Sequence, residues 1–170
     1  MNAPSSIKSQ LELAFWHLWE ERRPWLPAPV PQHRFVAAEV GGPGTGIRAR
    51  LLAESVRQNL LLPLKDYRAD FAWPDLRAAV EIDGLGKGHQ AYTGWMRDIH
   101  KGNLYTYYGW TFLRFTRMDV HGGSLRQAEM LWRVTRMLEQ AGCDITRPTS
   151  NVVDTVNTIL EKEGNNDTLS

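Results

Sequence analysis

The chain has 170 residues, 42% hydrophobic and 23% charged, which suits one domain around a single buried core, and its formal net charge of +1 leaves the partner open. No apolar run is long enough for a bilayer-spanning helix and Met1 to Lys8 lacks the apolar core of a signal peptide, so a cytoplasmic protein with no membrane partner is expected. The single cysteine, Cys143, excludes an intramolecular disulfide and has no Cys or His neighbours for a zinc site, so ordinary packing must hold the fold.

Ile7, Leu11, Ala14, Phe15 and Leu18 recur at helical spacing, which predicts a helix capped by Ser5 or Ser6 and running to about Arg23, where Pro24 stops it. Pro24, Pro27, Pro29 and Pro31 make an extended linker, and Arg34 to Val40 reads as a short strand after it. Gly41-Gly42-Pro43-Gly44-Thr45-Gly46 then precedes a helix from Ile47 to about Asn59. This glycine loop is not read as a phosphate cradle. A Walker loop needs Lys and Ser/Thr after its last glycine, where Ile47 and Arg48 stand, and Pro43 breaks the dinucleotide pattern.

Tyr67 to Trp73 and Ala78 to Asp83 are strand-like runs joined by Pro74-Asp75-Leu76-Arg77, the pattern of a β-hairpin. A helix from about Gly94 to Tyr108 follows, with Gly109 suited to its C-cap, and then a strand from Trp110 to Thr116. Gly122-Gly123-Ser124 opens a last helix, ending near Gly142, whose buried stripe is expected to be Leu125, Ala128, Leu131, Trp132, Thr135 and Leu138. Composition changes at Gln140. Residues 1–140 hold 18 Lys+Arg against 14 Asp+Glu, whereas the rest hold Arg147 and Lys162 against Asp144, Asp154, Glu161, Glu163 and Asp167. A mildly basic domain over residues 1–145 is thus expected, followed by an acidic tail, 146–170, partly disordered or with a short helix from Val152 to Lys162. Such a body permits nucleic-acid binding without demanding it. The element order is that of an α/β layer fold.

Strand side chains alternate, so Glu81 and Asp83 share one face while Val80 and Ile82 point into the core. The hairpin turn would bring Asp70 of the partner strand within reach of both. Like charges this close raise one another's pKa, and a divalent cation resolves the conflict. Oxygen-only ligands suit Mg²⁺ or Mn²⁺, which lower the pKa of a bound water and neutralise charge on a phosphate, the two needs of phosphodiester hydrolysis.

Asp70-Phe71, then Glu81-Ile82-Asp83-Gly84, His89, Asp98 and Lys101, and Gly109-Trp110-Thr111-Phe112-Leu113-Arg114-Phe115 together resemble the PD-(D/E)XK nuclease superfamily, in its branch of very-short-patch-repair-like and small phage endonucleases. The resemblance covers Ser9 to about Leu138, with an apparent insertion between Val40 and Lys65. It implies a restriction-endonuclease-like core, a mixed central sheet flanked by helices, and a Mg²⁺- or Mn²⁺-dependent endodeoxyribonuclease acting in the cytoplasm, the host's if phage-encoded. It further implies that Asp70, Glu81 and the backbone carbonyl of Ile82 bind the metal, and Asp83 on the same face is expected as a third ligand or as the base that orients water. Asp83 occupies the position that usually holds the motif lysine and cannot supply positive charge. In the related branch a histidine after the glycine loop assists instead, which makes His89 a candidate. Lys87 and Lys101 are the other options, and Asp98 and Lys101 would either project into the site or form a surface ion pair. Ser9-Gln10-Leu11-Glu12 matches the family's Ser-x-x-Glu, though the same pattern is a capping box, so Glu12 is either a site acid or a cap.

DNA is the partner this reading implies. Lys87 could meet a phosphate over the glycine turn, Arg114 and Arg117 leave the last strand near the acids, and Trp73, Tyr92 and Trp95 are the aromatics placed for DNA contact, while Trp16, Trp19, Trp110 and Trp132 read as core. Arg114 could equally pair with a site carboxylate. The rival functions are a catalytically inactive DNA- or protein-binding module of the same fold, a metal hydrolase acting on a nucleotide or RNA, and a structural protein with an incidental acid cluster. Paired cuts would call for a homodimer, for which no interface is legible.

Overall fold

The computed structural model describes residues 3–60, 63–84 and 92–146. The first helix, α1 (Gln10–Arg22), is capped by Ser9, whose Oγ accepts the Glu12 backbone N–H at 3.1 Å, so it begins after Ser9 and not at Ser5 or Ser6. The proline-rich stretch is not all linker: β1 (Val30–His33) lies within it. Pro31 removes one donor, which is tolerable because β1 is an edge strand.

Arg34 to Val40 forms a helical turn, α2 (Phe35–Glu39), in place of the predicted strand. Phe35, Val36 and Ala37 are all fully buried, an arrangement a half-buried strand with alternating faces does not provide. After α3 (Ile47–Arg57) come β2 (Ala69–Trp73), a 3-10 turn (Pro74–Leu76) and β3 (Ala78–Asp83), the hairpin anticipated from the chain. The remaining elements are α4 (Tyr92–Tyr107), β4 (Thr111–Thr116), α5 (Arg117–His121) and α6 (Ser124–Gln140). Gly109 ends the α4 region as expected, with φ at 70°, and the Trp110 N–H returns to the Tyr105 carbonyl at 2.8 Å. The short α5 was not anticipated.

The result is an α/β fold on a four-stranded mixed sheet in the order β1-β2-β3-β4. β1, β2 and β3 pair antiparallel, and β4 returns parallel to β3 after the α4 crossover. One face packs Phe71, Trp73, Ala78, Val80, Ile82 and Phe115 against α1, α5 and α6. The other packs Ala69, Ala72 and Ala79 against Phe35 of α2, Leu51 of α3 and Leu104 and Tyr105 of α4.

On α6 the buried stripe is Met130, Leu131, Val134, Met137 and Leu138, while Leu125 is 83% and Trp132 58% exposed. Two apolar rows flank Leu131 and Leu138, and α5 decides between them. It buries Val120, whose carbonyl accepts from Gln127 Nε2 at 2.9 Å, and thereby sets the rotation of α6. The approach is tight: a Cβ on Gly122 would come within 2.0 Å of the Met118 carbonyl oxygen, so only glycine fits. Among the described residues no helix is long and apolar enough to cross a membrane. The acidic tail lies outside the described residues except for its first, Thr146.

Candidate active site

The link between β2 and β3 is short enough to dictate which side chains meet. Arg77 closes the 3-10 turn in the left-handed region, with φ at 46°, and the register then runs from Trp73↔Ala78 to Phe71↔Val80. One more step sets Asp70 across from Glu81. Facing residues of neighbouring strands share a side of the sheet, so both carboxylates lie on the side covered by α4. On β4, Arg114 stands beside Glu81 and Thr116 beside Asp83. The acid end of the sheet is therefore where β3 and β4 finish and β2 begins.

Glu81 is 4% exposed and both its oxygens are held from α4. Lys101 Nζ lies 2.5 Å from Oε2, and the Tyr105 hydroxyl donates to Oε1. Lys101 and Tyr105 are one helical turn apart, so a single face of α4 grips the whole carboxylate. Burial raises the Glu81 carboxyl to about 7, against the pull of the Lys101 ammonium and with a further push from the Asp70 charge. Tyr105 is raised by burial and by the Glu81 charge, so it stays a hydroxyl donor.

Asp70 Oδ2 accepts the Ile82 backbone N–H at 2.8 Å. Its other oxygen accepts from Gln32 Nε2 at 3.5 Å, and the same nitrogen donates to Glu12 Oε2 at 3.0 Å. Burial raises the Asp70 carboxyl above its ordinary value by more than the Ile82 N–H and Lys101 lower it, and Glu12 and Asp83 add to the rise. Gln32 has φ at 54°, a conformation costing a non-glycine residue about 1 kcal/mol or more, which the bridge between the two acids offsets in part.

The expected residues thus divide. Asp70, Glu81 and Lys101 come together, and Lys101 projects into the site. Glu12 closes the cap through Ser9 and the Lys8 N–H, and it is also 7% exposed and linked to Asp70 through Gln32. Asp83 faces Arg114, whose Nε lies 3.1 Å from Oδ2, so it forms an ion pair at the margin and does not complete a trio. Among the described residues no three His, Cys, Asp or Glu side chains are grouped to hold a metal ion. Ile82 contributes backbone at the site while its side chain fills the opposite core. Arg117 is exposed at the end of β4, and Trp95 is 56% exposed on α4.

Trp73 is no DNA contact. It is 3% exposed, packs on Trp19 and donates through Nε1 to the Pro27 carbonyl at 2.7 Å. Lys87, His89 and the Tyr92 side chain lie outside the described residues. Two participants were missed. Tyr105 had a signal, its position one turn after Lys101, whereas Gln32 sits in a proline-rich stretch that gives none. Comparison of the chain with family models, curated proteins and solved structures returns no match.

Proposed function

We propose that this protein is a metal-dependent endodeoxyribonuclease with a restriction-endonuclease-like core, of the PD-(D/E)XK kind that its sequence resembles. The observation that carries the reading is the pairing of Asp70 and Glu81 across neighbouring strands, Glu81 buried and Asp70 half-buried, both with raised pKa. Two carboxylates facing each other, one of them buried, cost stability unless a cation joins them. Their donor set fits Mg²⁺ or Mn²⁺: hard oxygens only, and a pair, since Mg²⁺ is commonly held by one or two carboxylates with substrate phosphate and water completing its shell. Asp70, Glu81 and the Ile82 carbonyl would hold the ion. When bound, it lowers the pKa of water and neutralises charge on the phosphate.

Lys101 takes the part that Asp83 cannot. Its ammonium balances Glu81 in the metal-free protein and is placed to meet a phosphate oxygen once a cation takes over that balance. Tyr105 fixes the plane of the Glu81 carboxylate. Gln32 holds Asp70 and Glu12 in register, and Asp83 keeps Arg114 at the margin, where it can contact the DNA backbone with Arg117. His89 remains the candidate for protonating the leaving oxygen, and Lys87 for a phosphate contact.

The test is a panel of labelled junction, flap, mismatch, single-stranded and plain duplex DNAs, with RNA for comparison, incubated with Mg²⁺ or Mn²⁺. Cleavage is expected with at least one DNA, and its loss in Glu81→Ala. Lys101→Ala should lower kcat by about 10²–10³-fold while DNA affinity changes only a few-fold. Activity that survives Glu81→Ala refutes the assignment. Tight binding of DNA by the wild-type protein with no cut in any substrate would favour the binding-module reading, which the Lys101–Glu81 pair already closing the site also suits.

A further inference from the structure

Beside the acids, α4 and β4 line an open cavity of about 450 Å³, within the roughly 300–1,000 Å³ typical of small-molecule sites. Its apolar wall is Trp95 and Ile99 of α4 with Phe112 of β4, and Asp98, Asn103 and Thr106 add hydrogen-bonding groups. Trp95 is 56% and Ile99 40% exposed, one turn apart on a helix whose other side, Leu104 and Tyr105, is core. An aromatic and an aliphatic side chain this exposed in a concave site mark a binding surface.

Gly102 forms part of the cavity lining in the interior of α4, where glycine weakens a helix. A Cβ there would lie 3.5 Å from Phe112 Cζ, an ordinary contact, so packing does not demand the glycine. Its bare backbone leaves the cavity the space a side chain would take. Arg114 joins cavity and acids: it lines the former, pairs with Asp83, and stands beside Glu81 in the sheet. A phosphate held at the acids therefore has its own or the adjoining base within reach of the cavity.

We propose that the cavity receives one unstacked nucleobase of the strand being cut. Its ring lies against Trp95, Ile99 and Phe112, its edge meets Asn103 and Thr106, and Arg114 contacts the adjoining phosphate. The inference rests on the nuclease reading and narrows it, because a base already unpaired enters at less cost than one drawn from a duplex stack. The substrate class is DNA with an unpaired nucleotide beside the cut.

The experiment measures binding of fluorescein-labelled flap DNA by anisotropy, with Ca²⁺ in place of Mg²⁺, while a single abasic residue is moved through the strand. One position should stand out, where removing the base weakens binding by about 5–100-fold. In Trp95→Ala, and in Thr106→Trp, which fills the cavity from an exposed position, that sensitivity should vanish, whereas Trp95→Phe should keep it. Melting curves establish that each variant is folded. An even response along the strand, or unchanged sensitivity in both cavity variants, overturns the proposal, and Mg²⁺-dependent cleavage alongside that result leaves the nuclease reading standing. A position-specific signature without cleavage does the reverse. Absence of DNA binding overturns both.

Discussion

On the side of the sheet under α1, α5 and α6, the strands present only apolar groups to the core: Phe71, Trp73, Ala78, Val80, Ile82 and Phe115. On the side under α2, α3 and α4 the apolar core is joined by buried Glu81, gripped by a lysine and a tyrosine from α4, with half-buried Asp70 beside it. The first side is close-packed hydrocarbon and aromatic ring, Phe71 lying 4.7 Å from Phe15 between ring centres. The second spends part of its burial on charges whose desolvation is only partly offset. The contrast locates close packing on one side and buried charge on the other, the latter an arrangement that packing alone would reject.

The hardest blow to the apolar side is Phe71→Ala. It should cost about 3–5 kcal/mol in urea unfolding, and the same amount at pH 5 and pH 8. On the polar side, Lys101→Met should cost a comparable ~3 kcal/mol at pH 8, because it strands a buried carboxylate, and much less at pH 5, where Glu81 carries a proton. A Phe71→Ala cost that moves with pH, or a Lys101→Met cost that does not, would erase the contrast.

The smallest effect needs no mutation. Folded Glu81 keeps its proton up to about pH 7, whereas the unfolded side chain releases it near 4.5. Between these values the folded chain binds more protons. In chelator, the contribution of Glu81 is full below about pH 4.5 and is lost as pH rises through 7, at most ~3 kcal/mol in all. Glu81→Gln should flatten this slope in denaturant titrations across that range. A wild-type slope of opposite sign, or one that Glu81→Gln leaves intact, would contradict the burial argument.

The acid pair was legible because the hairpin carries its own evidence: a polar residue breaks an apolar run at Asp70, acids alternate with core residues at Glu81 and Asp83, and Pro74-Asp75 marks the turn between them. The α4 and β4 pattern was equally plain from its periodicity and from Gly109. What escaped did so for identifiable reasons. Pro29 and Pro31 hide β1, and with it Gln32, because proline is a reason to deny a strand unless the strand is known to lie at an edge. The phase of α6 depended on α5, a single turn with no pattern of its own. The fate of Asp83 turned on Arg114, a contact between strands 31 positions apart in the chain, which alternation allowed and could not choose. Trp73 and Trp132 exchanged their expected places because aromatic residues suit a core and a surface alike.

Pro74 to Arg77 ties the two acid-bearing strands together with a handful of residues, so bringing Asp70 to Glu81 closes a very short loop and costs little chain entropy. The pair's spacing is a local property of the hairpin. Length added to or removed from the stretch between Val40 and Lys65, or from the chain beyond Ile145, leaves that spacing as it is. Such remodelling would change what surrounds the acid pair while the pair itself is inherited unchanged, the way a tool keeps its blade when its handle is replaced.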